Sequence, residues 1–221
     1  LVARLEQHLN EDPIFRTRSG KRYVVEPFGS FLTGTLSKNS DLDLCIIDPD
    51  HPDGFDEKFL RSAWIGVGDV TGLPPHKKWP RIYQTNVLAK AIRRWGFRNV
   101  TPIKKTIVPI VKFQALINGE VIEVDINANQ QLGLRNSRLI VEYSRLFNIF
   151  NECVLLIKFW AKAKGLHDPA GKSGVTSFST YAWILLFITF LQEEGLVPNL
   201  QSRLALVNAR TEESMFWTIP R

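Results

Sequence analysis

The sequence predicts an α/β protein: a mixed, twisted sheet with helices on one face, joined to a second, mostly helical part. Three observations carry this. The stretch Val24–Ile47 reads as strand, Gly-Ser turn, short helical segment, turn and strand. Thr106–Ile126 reads as a β-hairpin, two strand-like runs around Asn118-Gly119, a dipeptide suited to a two-residue turn. Beyond residue 134, long segments such as VLLIKFWAKAKGLHDP and TYAWILLFITFLQ have the length and apolar content of packed helices. The expected division is a sheet domain at 23–133 and a helical domain combining 1–22 with 134–221, with a ligand cleft between them.

The elements follow in chain order. Leu1–Asn10 has an apolar stripe at helical spacing, ended by Asp12-Pro13. A basic connector (Arg16, Arg18, Lys21, Arg22) leads to a strand at Tyr23–Pro27. Asp48–Pro80, rich in Pro, Gly, Asp and His, reads as largely a long loop, part of it an insertion, with a short helix around Phe55–Trp64; His51 and His76 have no ligand spacing around them. Tyr83–Gly96 is an amphipathic helix stopped by Gly96. Tyr181–Leu191, the longest apolar run, is too short to span a bilayer and reads as a buried helix, so no membrane is expected as a partner.

Composition sets outer bounds. The 221 residues are 44% hydrophobic and 23% charged, ordinary for a globular protein. The net charge of +6, beside an acidic cluster, points to a polyanionic partner, nucleic acid or nucleotide; alone it serves solubility equally well. Two cysteines, Cys45 and Cys153, without a CxxC, form neither a disulfide framework nor a zinc motif and suit a reducing, intracellular compartment. Cys45 reads as a small buried hydrophobe. The chain starts at Leu1 rather than Met, so trimming at its N-terminus is expected.

The chemistry centres on carboxylates. Asp41 and Asp43, two apart on a strand, project from one face beside the Gly29-Ser30 turn. Paired carboxylates repel unless a cation lies between them, and a divalent metal is the natural occupant, with a phosphate on the turn completing its shell. Asp125, near the end of the returning hairpin strand, is the third candidate, with Glu123 its nearest competitor; a lone strand-end Asp ordinarily serves a turn. Arg93, Arg94, Arg98, Lys104 and Lys105, with Trp95 and Phe97 interleaved, form a candidate RNA-binding patch; a solvated helix end explains them equally well.

The Gly-Ser followed by Asp-x-Asp resembles the active-site signature of the polymerase-beta-like nucleotidyltransferases. With IEVDINANQQLGLRNSRLI, the Lys-bearing helix, SFSTYAWILLFITFLQ and VPNLQ, the chain resembles the terminal uridylyltransferase and cytoplasmic-type poly(A) polymerase family. The likeness covers Val24–Ile47 and Tyr83–Gln201. It implies a polymerase-beta-like nucleotidyltransferase domain with a mostly helical PAP-associated domain. It further implies template-independent addition of ribonucleotides from UTP or ATP, UMP ahead of AMP, to an RNA 3′ end. Asp41, Asp43 and Asp125 would hold Mg²⁺, or Mn²⁺, for two-metal phosphoryl transfer. Gly29 and Ser30 would take the terminal phosphates, Asn136 the ribose 2′-hydroxyl, Lys158 and Lys162 the triphosphate, Ser179 and Thr180 the γ-phosphate, and Tyr181 the base.

Each assignment has a plain structural alternative. Gly-Ser is a common turn, Asn136 suits a helix N-cap, and Ser179 an N-cap with Tyr181 in the core. Lys158 and Lys162, one turn apart, suit a solvated helix face, and Lys164 competes for that face. The rival functions are an oligonucleotide synthase or small-molecule nucleotidyltransferase with the same triad, or an inactive RNA-binding scaffold. The expected location is intracellular, cytoplasmic ahead of nuclear or mitochondrial. After VPNLQ the tail SRLALVNARTEESMFWTIPR departs from the family's continuation, and a fragment of a longer chain is expected.

Overall fold

The computed structural model describes residues 1–37, 40–52, 80–104, 106, 108–168 and 176–202. The short helix expected around Phe55–Trp64, and His76, lie outside these residues. The chain divides into two compact units, Leu1–Leu32 with Lys38–Ser137, and Thr33–Ser37 with Arg138–Arg221.

The first unit is built on a five-stranded mixed sheet. Its strands are β1 (Val24–Phe28), β2 (Leu42–Ile47), β3 (Arg98–Ile103), β4 (Ile110–Ile117) and β5 (Glu120–Ala128), in spatial order β1-β2-β5-β4-β3. Only β2 and β5 pair in parallel; the other neighbours are antiparallel. The β4–β5 hairpin forms as the sequence predicts. Asn118 and Gly119 take φ of 50° and 86°, the two left-handed positions of the turn whose twist matches the strands.

Alternation sorts the two faces. Val25, Leu44, Ile46, Val111, Phe113, Val124 and Ile126 form one apolar face. Two helices supply its cover, α1 (Val2–Glu11) through Leu5 and Leu9, and α2 (Thr85–Arg94) through Leu88, Ala91 and Ile92. Each fully buried Leu or Ile contributes about 1.5–3 kcal/mol by leaving water. The helix α1 therefore belongs with the sheet, and the expected grouping of 1–22 with the helical part is corrected: its apolar stripe matches the sheet's open face. The segment Gly29–Gly34 is a run of turns rather than the expected short helix. The strand β3 escaped the sequence reading. Pro102 and a register shift between Arg98 and Thr101 interrupt its pattern, both tolerable at a sheet edge.

A polar clasp closes the far end of β2. The Asp48 carboxylate, 2% exposed, accepts from Tyr83 Oη at 2.8 Å and from the Asp50 amide at 2.9 Å, and pairs with His51 Nδ1 at 2.9 Å. Asn129 Nδ2 donates to the His51 carbonyl at 2.6 Å and to Tyr83 Oη at 3.1 Å. His51, unassigned from sequence, thus belongs to a structural knot that ties the end of β2 and Tyr83 to Asn129, just after β5. Asp48→Ala leaves buried donors without their acceptor, and about 3 kcal/mol of stability is expected to be lost in urea unfolding. A loss below about 0.5 kcal/mol would show that the clasp is dispensable.

The second unit is helical, with α3 (Leu132–Leu146) leading into it from the first, then α4 (Phe150–Ala163) and α5 (Thr180–Glu193). Ile140, Tyr143, Phe150, Val154, Ile184, Ile188 and Leu191 form its core. The helix α5 is buried on one side only: Ile184, Ile188 and Leu191 are covered while Leu186 and Phe190 remain exposed, so the expected buried helix is buried along one stripe. An apolar circumference need not be covered on every side when one stripe meets the neighbouring helices. Among the described residues, no helix is long and apolar enough to cross a membrane.

Candidate active site

The site lies on the sheet face opposite α1 and α2. Strand register builds it: Phe28 is opposite Asp43, Asp43 opposite Asp125, and Asp125 opposite Lys112. One row of side chains thus crosses four strands, with Asp41 just ahead of β2. Parallel pairing in register is what brings Asp43 and Asp125 together from distant parts of the chain. Glu123, the competitor, sits one pleat along and accepts from Gln114 Nε2 on β4.

Lys112 joins this row. Its Nζ lies 2.7 Å from Asp125 Oδ2 and 3.2 Å from Asp41 Oδ2. Burial opposes its charge, but the Asp125 and then the Asp41 carboxylates outweigh that and hold it above the ordinary lysine range. Burial, then the charges of Asp125 and Asp41, push Asp43 up to about 6. Asp125 is raised as well, by burial first, against the opposing pull of Lys112.

The Gly29 turn closes one side. Gly29 has φ +66°, and a Cβ there would stand 2.2 Å from Asp43 Oδ2, so only glycine permits this approach. The Gly29 amide donates to Ser137 Oγ at 2.8 Å, and Ser137 Oγ donates to the Gly133 carbonyl at 2.8 Å. That amide is therefore engaged with α3 in this structure. Gly133 packs so closely on Phe28 that a Cβ would meet the ring at 2.5 Å. Ser30 follows in the turn, half-buried. Asn136 is half-buried inside α3 rather than at its N-cap. Cys45, fully buried, has its thiol pushed up to about 12 by burial and then by Glu26, as expected of an inert core cysteine.

The donor set fits a divalent cation. Asp125 Oδ1 is buried and has no hydrogen-bond partner, an expensive state for a carboxylate oxygen and one that a cation would relieve. Among the described residues, no three Asp, Glu, His or Cys side chains are already closed into a metal shell in this conformation. Lys112 holds two of the three carboxylates instead.

The second unit carries the remaining candidates. Lys158 Nζ donates to the Thr35 carbonyl at 2.7 Å, and burial lowers its pKa. Lys162 is exposed, and Lys164 caps the helix end. Ser179 is the N-cap of α5, accepting from the Ala182 amide at 3.2 Å. The Thr180 hydroxyl meets His167 Nε2 at 2.5 Å. Tyr181 packs against the helical core, and burial raises its phenol pKa.

The basic patch is corrected in part. Arg93 donates to the Val100 carbonyl at 2.5 Å and Arg94 pairs with Asp12 at 2.5 Å. Trp95 stacks on His8, with centroids 5.4 Å apart, and Phe97 is buried against Phe113 beneath Arg4. Both aromatics are used in packing within the first unit. Arg98 and Lys104 are exposed; Lys105 lies outside the described residues.

A mixed sheet that pairs two acidic strands in parallel beside a left-handed glycine turn is the fold of the polymerase-beta-like nucleotidyltransferases. The chain belongs to the family described as the central palm domain of mitochondrial-like poly(A) RNA polymerases, whose model matches residues 1–145. It is 29% identical over 177 residues to Poly(A) RNA polymerase GLD2 of Xenopus tropicalis, covering 79% of this chain and 28% of that protein. It is 30% identical over 177 residues to Terminal uridylyltransferase 7 of Homo sapiens, covering 79% of this chain and 10% of that protein. Among solved structures, the non-canonical poly(A) polymerase complex GLD-2–GLD-3 superposes with a TM-score of 0.61 at 26% identity, over 90% of this chain and 55% of that one. The chain thus spans less than a third of these two curated relatives and about half of the solved one.

Proposed function

We propose that the protein adds ribonucleotides to RNA 3′ ends without a template, UMP ahead of AMP, with release of pyrophosphate. The observation that carries this is the in-register placement of Asp43 and Asp125 on adjacent parallel strands, with Asp41 linked to Asp125 through Lys112. The bond formed joins the RNA 3′-oxygen to the α-phosphorus, and the bond broken is the one to the bridging oxygen of the β-phosphate. Asp41, Asp43 and Asp125 would hold Mg²⁺, or Mn²⁺, which when bound supplies activation of the 3′-hydroxyl and neutralisation of the triphosphate. No side chain is needed as a nucleophile, and positioning with electrostatics carries the rate.

The chain's own residues then divide the work. The Gly29 turn keeps the approach to Asp43 open, and the Ser30 hydroxyl donates to a terminal phosphate. Asn136 reads the 2′-hydroxyl, so a deoxynucleotide leaves a polar amide unpaired and is rejected. Lys158, Lys162, Ser179 and Thr180 are assigned to the triphosphate and Tyr181 to the base. Arg98 and Lys104 are the exposed cations offered to RNA.

The test is primer extension with a labelled RNA oligonucleotide, Mg²⁺ and each ribonucleotide separately. Extension by UTP, and to a lesser degree by ATP, is expected. Absence of extension with all four nucleotides would overturn the polymerase reading and favour a binding subunit.

A further inference from the structure

Lys112 places a positive charge inside a cluster of carboxylates that, on the nucleotidyltransferase reading, exists to hold metal. We propose, resting on that reading, that Lys112 is a built-in counter-cation: it ties Asp41 to Asp125 while no divalent ion is bound, and it must withdraw for the ion to enter.

The geometry makes the two cations rivals. Lys112 Nζ lies 2.7 Å from Asp125 Oδ2 and 3.2 Å from Asp41 Oδ2. Magnesium takes carboxylate oxygens at about 2.0–2.1 Å, so an ion shared by these two residues would lie within a few ångströms of the ammonium. Like charges at that distance exclude one another. The rest of the site is arranged for exchange. The Asp125 Oδ1 atom is buried and unpartnered, so one oxygen of the same carboxylate stays ready for an incoming ion. The Lys112 side chain is 40% exposed, and its flexible four-carbon stem gives the ammonium a way out. Its backbone cannot follow, because the hairpin register fixes Lys112 opposite Asp125. An ion pair this exposed adds little to folding, so its stabilising effect is a weak reason for its presence. Its consequence for ion binding is large: metal binds weakly until something else, such as a nucleotide's phosphates, takes up the ammonium.

The test is Mn²⁺ binding to the protein without nucleotide or RNA, followed by electron paramagnetic resonance. Lys112→Met is expected to bind Mn²⁺ about tenfold more tightly than wild type, because a like charge has gone from the ligand shell. Lys112→Arg keeps the charge and is expected to stay weak. A non-hydrolysable nucleotide should tighten Mn²⁺ binding in wild type more than in Lys112→Met. Thermal melts in EDTA establish that each variant is folded, and Lys112→Gln replaces the Met variant if that one is not. Equal or weaker Mn²⁺ binding by the uncharged variants overturns the inference. If primer extension is nonetheless present, the polymerase reading survives that result. If Mn²⁺ binds to no variant, with or without nucleotide, both readings fall.

Discussion

Asp43→Asn is expected to abolish nucleotide addition, by a factor of about 10³ or more, while making the metal-free protein more stable. Burial and the charges of Asp125 and Asp41 push the Asp43 carboxyl up to about 6 in the folded chain, against 3.8 for the free group. The folded state therefore binds a proton that the unfolded state has released, and stability falls as pH rises between about 4 and 6. Above that window the charged Asp43 costs on the order of 2 kcal/mol, which the neutral amide recovers. Divalent ions reverse the comparison, because the variant has lost a ligand. Melting curves in EDTA and in Mg²⁺, at pH 5 and pH 8, check this. At pH 8 in EDTA the variant should melt higher than wild type, and at pH 5 the gap should narrow. A variant that melts lower in EDTA at pH 8 would mean that Asp43 is a structural carboxylate.

Gly29→Ala is the second severe change. The new methyl would stand 2.2 Å from Asp43 Oδ2, and the residue would keep a φ of +66°. The strain alone is worth about 1–2 kcal/mol. The clash adds displacement of the turn or of the Asp43 carboxylate, and a shift near 1 Å in a positioned group costs about 10²-fold in rate. Gly20→Ala separates the two effects. Gly20 also has positive φ, at +72°, but nothing lies within 4 Å of where its Cβ would be. The Gly20 variant should lose about 1 kcal/mol and keep its rate of primer extension. The Gly29 variant should lose more stability and nearly all activity. Equal behaviour would mean that the close approach to Asp43 is not used.

Much of this site can be read from the sequence, because strand alternation and a two-residue turn set register without tertiary information. Asp41 and Asp43 follow from those rules, whereas Asp125 shares its strand face with Glu123 and is singled out with the help of the family resemblance. Lys112 follows from them too. The Asn118-Gly119 turn dictates that residue 112 faces residue 125, yet a lysine alternating with Gln114 looks like an ordinary solvent face. Other features depend on packing that no local pattern encodes. The Asp48, Tyr83 and Asn129 clasp joins three separate segments, and each residue alone resembles loop chemistry. The α1 stripe announces a buried face but not the surface that buries it. Arg94 looks like a free cation until Asp12 is found beside it.

The parallel β2–β5 pair has a consequence for how the protein comes to exist. Asp43 and Asp125 are neighbours only after the long stretch of chain between them has been closed into a loop. The hairpin β4–β5 is local and is expected to form early, whereas this non-local pairing is expected late, so the juxtaposition of the two carboxylates is among the last features acquired. Loop closure grows only logarithmically with length, at roughly 0.6 kcal/mol per doubling. Nature can therefore lengthen or shorten the segment after Asp48 with little effect on whether the acidic strands meet. The same topology that delays assembly leaves this position open to evolutionary experiment.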